Sequence, residues 1–225
     1  MPTYGKTTRP KDTRGNILKT AQKIFARNGF AGARMDEIAR QARVNKAMIY
    51  YHIGNKKALY AEVLHHIFSN ALNRFKPAID KEGSPEQKLR RYIQGIAQTV
   101  GQNPEVAAIL MREQANGGKN FPDVIMKDMY EIILLLVEVL DQGRRSGAFV
   151  ATNPFAVHML AVGSILITHT SYPIRTRIPA ERSDVEAQKQ QPLETTLSDI
   201  EALILRAVLK TPADAKEMTH KGPIE

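Results

Sequence analysis

Residues 34–59 read RMDEIARQARVNKAMIYYHIGNKKAL, and this stretch decides the fold. Met35, Ile38, Ala39 and Ala42 recur at helical spacing, so a first short helix has one apolar face. Val44 can plug the corner that follows. Asn45 suits the N-cap of a second helix, because its side-chain oxygen can accept from an N–H of the first turn. That second helix, Lys46 to His52, turns Ile49 and Ile53 inward. It leaves Lys46, Ala47, Met48, Tyr50, Tyr51 and His52 facing outward or sideways. Two helices across a 3–4-residue turn, the second rich in donors and aromatics, form the layout of a helix-turn-helix DNA reader.

The flanks extend the pattern. Ile17, Ala21, Ile24 and Phe25 give a helix from about Thr13 to Asn28 one apolar face, with Gly29 ending it. With Asn28-Gly29-Phe30, Ile38-Ala39, Ala42-x-Val44, Ile49-Tyr50 and Lys56-x-Ala58-Leu59, this run resembles the TetR family of transcriptional regulators over residues 13–65, and more loosely beyond. Three positions depart from that family. Arg34 stands where a capping, phosphate-touching threonine is usual, Arg43 replaces the common turn glycine, and Ile53 replaces a phenylalanine. The resemblance implies phosphate contacts from Tyr50 and Lys56, and base reading by Lys46, Ala47, Met48 and Tyr51. Arg34 and Asn45 complete the DNA-contact candidates. The alternative for Tyr50, Tyr51 and His52 is packing within the helix-turn-helix.

Charge agrees with a polyanion partner. Residues 1–76 hold 15 Lys/Arg against 4 Asp/Glu, whereas residues 77–225 hold 17 against 19. A basic arm (residues 1–12) is expected before the reader (13–55). No cysteine is present, so disulfide and thiolate chemistry are excluded and a cytoplasmic location fits. The basic start has no signal-peptide pattern, and no apolar run reads as long enough to cross a bilayer.

A connecting helix is expected over 56–76, capped by Asn55 and stopped by Pro77. Ser84-Pro85, Asn103-Pro104 and Asn153-Pro154 each pair a cap with proline at the first helical position, giving helices near 85–102, 104–116 and 154–172. Ser84 with Gln87 is a capping-box pattern. Further helices are expected near 122–145 and 193–210, with a loop at 173–192 that holds at most a short turn near 184–190, and a frayed tail at 211–225. The fold class is therefore all-α: a three-helix DNA-binding domain on a larger helical domain at 77–210.

Chemistry beyond DNA contact has little support. His65 and His66 point about 100° apart on a helix, and His158 and His169 are roughly 16 Å apart, so neither pair has metal-ligand spacing. No nucleophile–base set can be read, so neither enzyme activity nor a cofactor is expected. The 154–172 helix looks apolar nearly all round. It is either the central helix of one subunit or, as the resemblance implies, a homodimer face. The resemblance further implies a double-stranded operator, and a small-molecule effector held among the helices at 85–172. Tyr92, Arg112, Asn116, Tyr130, His158 and His169 are the polar candidates there. The competing reading is a DNA-architectural protein with no effector.

Overall fold

The computed structural model describes residues 12–179 and 181–211. Ten helices make up that part of the chain: α1 (Thr13–Gly32), α2 (Met35–Ala42), α3 (Lys46–His52), α4 (Lys56–Asp80), α5 (Pro85–Gln102), α6 (Pro104–Ala115), α7 (Asp123–Arg145), α8 (Pro154–Arg175), α9 (Ser183–Lys189) and α10 (Leu193–Val208). Among the described residues the sole β pairing is an isolated antiparallel bridge, Phe149 to Leu209. The arm at 1–11 and the tail from 212 onward lie outside the described residues.

Caps written in the sequence appear at the helix starts. Asp12, Asn45, Asn55 and Asn153 accept from the first-turn amides of α1, α3, α4 and α8. Ser84 and Gln87 close both halves of the capping box of α5. Each such cap is worth about 1 kcal/mol. Asn103 differs from expectation. Its side chain donates backward to the Thr99 carbonyl at 3.1 Å and leaves α6 without a side-chain cap.

Two prolines fail to stop their helices. Pro77 lies inside α4, which continues to Asp80, and Pro173 lies inside α8, which continues to Arg175. A missing N–H in a last turn is tolerated because Ile79 and the turn around it still pack. The expected loop at 173–192 therefore shortens at its front, and α9 occupies its middle. Gly29, with φ 68° and ψ 176°, ends the straight run of α1, and the chain resumes one more turn to Gly32.

One apolar core runs through the molecule from Ile17 and Phe25 to Ile204 and Val208. α4 binds it together, packing on α1 at one end and on α5 and α7 along its length. Phe25, Phe30 and Tyr60 cluster where α1 meets α4, with ring centroids 4.8 and 5.0 Å from Tyr60. The Tyr60 hydroxyl donates to Glu113 at 3.0 Å, and Asn120 donates to the same carboxylate, which is 2% exposed. Arg112 reaches across from α6 to donate to the Ala26 and Arg27 carbonyls at 3.2 and 3.1 Å. The kink at Gly29 leaves those acceptors without their usual backbone donors.

α8 corrects two expectations. By length and hydropathy alone it could span a bilayer, contrary to the sequence reading, yet it packs on α5, α6, α7 and α10. Nor is it buried all round: only 28% of its most apolar stretch is covered. Val157, Ala161, Ile165 and Leu166 face the core, while Phe155, Met159, Leu160, Ile167 and Ile174 form an uncovered apolar stripe.

Candidate nucleic-acid interface and internal cavity

The reader is held rigidly from behind. Asn16 of α1 donates to the Ala42 carbonyl at 2.7 Å, which ties the end of α2 to α1. Arg43 then turns the corner with φ 55° and ψ 43°, a left-handed conformation costing roughly 1 kcal/mol for a residue with a Cβ. Val44 packs against the core beneath it. Arg34 occupies the N-cap position of α2 without making a cap, as its side chain dictates.

α3 is anchored by a single fully buried residue, Ile49, with Ile53 half-buried beside it. Everything else on the helix looks outward. Ala47 and Met48 are exposed, Tyr50 is 48% exposed and Tyr51 83%, so neither tyrosine pads the core. His52 is half-buried with its ring edge-on to Tyr51, 5.2 Å between centroids. Asn45 spends its side-chain oxygen on the Ala47 amide at 2.9 Å. Arg34, Arg40 and Arg43 are exposed on α2 and the turn. Sequence reasoning did not single out Arg40, although its spacing from the apolar Ile38-Ala39 pair already places it on the outer face.

The two lysines expected to meet DNA both have internal partners. Lys46 pairs with Asp36 of α2 at 2.9 Å, and that hydrogen bond raises its pKa above the ordinary lysine value. Lys56 donates to the Ala31 carbonyl at 3.0 Å and lies over the Phe30 ring, 4.8 Å from its centroid. In this chain Lys56 therefore clasps α4 to the end of α1, a role that sequence spacing did not suggest.

The second site is internal. A cavity of about 70 Å³ lies between α4, α5, α6, α7 and α8, walled by Phe75, Ile96, Val100, Val106, Ile132 and Val162 among others. Beside it lies an outer cleft of about 650 Å³ between the α6–α7 turn (Gly117, Gly118, Phe121) and α8 (Met159, Gly163, Ile167). Leu110, Met129, His158, Val162 and Leu166 border both spaces. α4 supplies Ile67, Phe68, Ala71 and Phe75, so the pocket is not confined to the expected 85–172 region. A Cβ on Gly95 would lie 2.5 Å from the Phe75 ring, so glycine there lets that ring stand back from the cavity.

Of the six polar candidates, two come together. Tyr92 is fully buried and its hydroxyl meets His158 Nδ1 at 2.6 Å. Burial raises the phenol pKa and lowers that of the imidazole, so the pair is neutral near pH 7. The other four lie elsewhere. Arg112 serves α1, Asn116 ends α6 in solvent, Tyr130 is exposed on α7, and His169 engages the Ile165 carbonyl at 2.9 Å. Length and polarity alone could not separate these cases, because on a helix the pocket-facing side depends on neighbours far away in sequence. Among the described residues no group of three or more metal-ligating side chains forms a site. His65 pairs with Asp128 at 2.7 Å, and His66 meets Asn70 on the surface.

Residues 17–63 match the family profile described as bacterial regulatory proteins, tetR family, and residues 85–199 match that of a tetracyclin repressor-like C-terminal domain. The HTH-type transcriptional repressor NicS of Pseudomonas putida is 37% identical over 107 residues, covering 47% of this chain and 50% of that protein. The HTH-type transcriptional repressor SCO4008 of Streptomyces coelicolor is 51% identical over 55 residues, 24% of this chain and 29% of the relative. The matched stretches thus span half or less of these relatives' length. FadR of Bacillus subtilis, solved in complex with stearoyl-CoA, shares the fold with a TM-score of 0.68 at 17% identity, over 86% of this chain and 98% of that one. The two profiles together run from the first helix into α10, and the chain belongs to the TetR family of bacterial regulatory proteins.

Proposed function

We propose that this chain is a cytoplasmic transcriptional repressor that binds a palindromic operator as a homodimer and lets go when a small molecule occupies the cavity. The observation that carries the reading is the outward face of α3. It is capped, anchored by Ile49 and exposed at Ala47, Met48, Tyr50 and Tyr51, on the third of the chain that holds the whole positive excess. A helix so presented can enter a major groove, with Lys46, Ala47, Met48 and Tyr51 toward base edges and Arg34 and Tyr50 toward phosphates, while Lys56 reaches a phosphate only by releasing the Ala31 carbonyl. The relatives named above as repressors support the direction of regulation.

The exposed apolar residues of α8 that do not wall the cleft, Phe155, Leu160 and Ile174, together with Leu203 on α10 (62% exposed), support the dimer. Apolar surface of this kind gains by burial against a second copy, and a two-fold protein matches two half-sites. The cavity favours an effector over the architectural alternative, since a purely architectural protein has no need of an apolar internal space lying beside a surface cleft. The test is selection of binding sites from random DNA, repeated with candidate small molecules. A single palindromic consensus is expected. Uniform recovery of all sequences would favour the architectural reading.

A further inference from the structure

Building on the effector reading above, we propose that the occupant of the cavity is an uncharged, mainly apolar molecule with one hydrogen-bond acceptor, a carbonyl-type oxygen that receives the Nε2–H of His158. The inner walls exclude a charged group. No Lys, Arg, Asp or Glu lines either the inner cavity or the outer cleft, so an ionised group drawn in from solvent to the inner cavity would be desolvated without a partner.

Thr99 and His158 are the polar side chains on the inner walls, and Gln114 is exposed at the rim of the cleft. Thr99 donates its hydroxyl to the Gly95 carbonyl at 2.8 Å and accepts from Arg74 at 3.2 Å. Tyr92 has His158 as its hydroxyl partner. A phenol is the stronger acid and a neutral imidazole nitrogen the stronger acceptor, so Tyr92 donates and Nδ1 accepts. That fixes the His158 tautomer with its proton on Nε2. His158 is 4% exposed, yet its Nε2 has no hydrogen-bond partner among the described residues and is not among the polar atoms sealed off from any space. It therefore presents one donor at the junction of cavity and cleft, which His158 borders on both sides.

The geometry also sizes the ligand. About 70 Å³ beyond His158 admits a short apolar end between Phe75 and Val100, and the wider cleft takes the remainder. The acceptor thus belongs partway along the molecule rather than at its buried tip.

The experiment uses the full chain and three probes: butyrophenone, its hydrocarbon counterpart butylbenzene, and 4-phenylbutyrate. Calorimetry gives their affinities for the native protein and for the double variant Tyr92→Phe/His158→Phe. Replacing both members of a hydrogen-bonded pair leaves no orphan, so this variant should fold. The ketone-to-hydrocarbon affinity ratio is expected to fall about tenfold in the variant, and the carboxylate to bind at least tenfold more weakly than the ketone to the native chain. An unchanged ratio, tighter carboxylate binding, or no binding of either neutral probe at millimolar concentration overturns the proposal. Infrared spectra of butyrophenone bound to the native chain give a variant-free check. Its carbonyl stretch should lie below the hexane value, and an unshifted band also overturns it. None of these readouts involves DNA, so the regulator reading stands or falls separately on the operator selection.

Discussion

Lys46 illustrates how a residue's partners decide what its mutation reports. In the free protein its ammonium is held by Asp36, both side chains being well exposed, so the pair is weak and can exchange for a base contact at little cost. Lys46→Ala is expected to relax preference at one operator position by about 1–3 kcal/mol, read as a change in the selected consensus with little change in overall salt dependence. Tyr50→Phe should instead weaken binding to all sequences alike. His158 makes a different prediction. Its folded pKa is lowered, so below the usual value of 6.5 the unfolded chain takes up a proton that the folded chain refuses. The stability this group confers is fully present above that value and declines as pH falls toward the folded pKa. Chemical denaturation between about pH 7.5 and 5 should show a steeper loss for the native chain than for Tyr92→Phe/His158→Phe, and parallel curves would refute the assignment.

At the level of elements, α8 offers the cleanest separation of interface from core. Leu160 is 52% exposed in the single chain, whereas Leu166 is buried against the core and borders the cavity. Leu160→Arg and Leu203→Arg should yield folded monomers, because in one subunit those positions meet water. Leu166→Arg should unfold the chain or cost about 3 kcal/mol or more, since the new charge has nowhere to go. Sedimentation with circular dichroism checks both. Sequence periodicity located every long helix to within a few residues, because caps and apolar spacing are local signals. It could not say which side of α8 is covered, since its apolar residues fall on several sides and the polar His158 and Thr168 are themselves buried. It also misjudged Pro77, whose penalty in a last turn is offset by the packing of Ile79, and Pro173, after which Arg175 ties the last turn of α8 to Thr196 and the Gln191 carbonyl.

For the whole molecule, the charge division visible in the chain survives as a physical division of labour, with a basic reader at one end and a nearly neutral body, holding the apolar cavity, at the other. The helix-turn-helix was legible because its turn, cap and inward residues lie within one short stretch. The cavity was not, because its walls come from five helices spread between residues 67 and 166. On the proposed reading, a ligand there would release DNA only by preferring a conformation whose two readers no longer match successive grooves, and linkage would then require the operator to weaken the ligand by the same factor. Titrating butyrophenone with and without the selected operator should show that equality. Identical affinities in both titrations would deny that compound any regulatory role.

The reach of Arg112 has a consequence for how the protein comes apart. Two carbonyls at the end of α1 are completed by a side chain 85 and 86 residues further along. The reader's first helix is therefore finished only when α6 is in place, and Tyr60 with Glu113 adds a second stitch across the same seam. Heat should find no weak hinge there: tyrosine fluorescence and helical ellipticity are expected to melt together in the native chain. Arg112→Ala should pull the two transitions apart, the reader loosening first, as a book whose binding thread is cut sheds its opening pages before the rest.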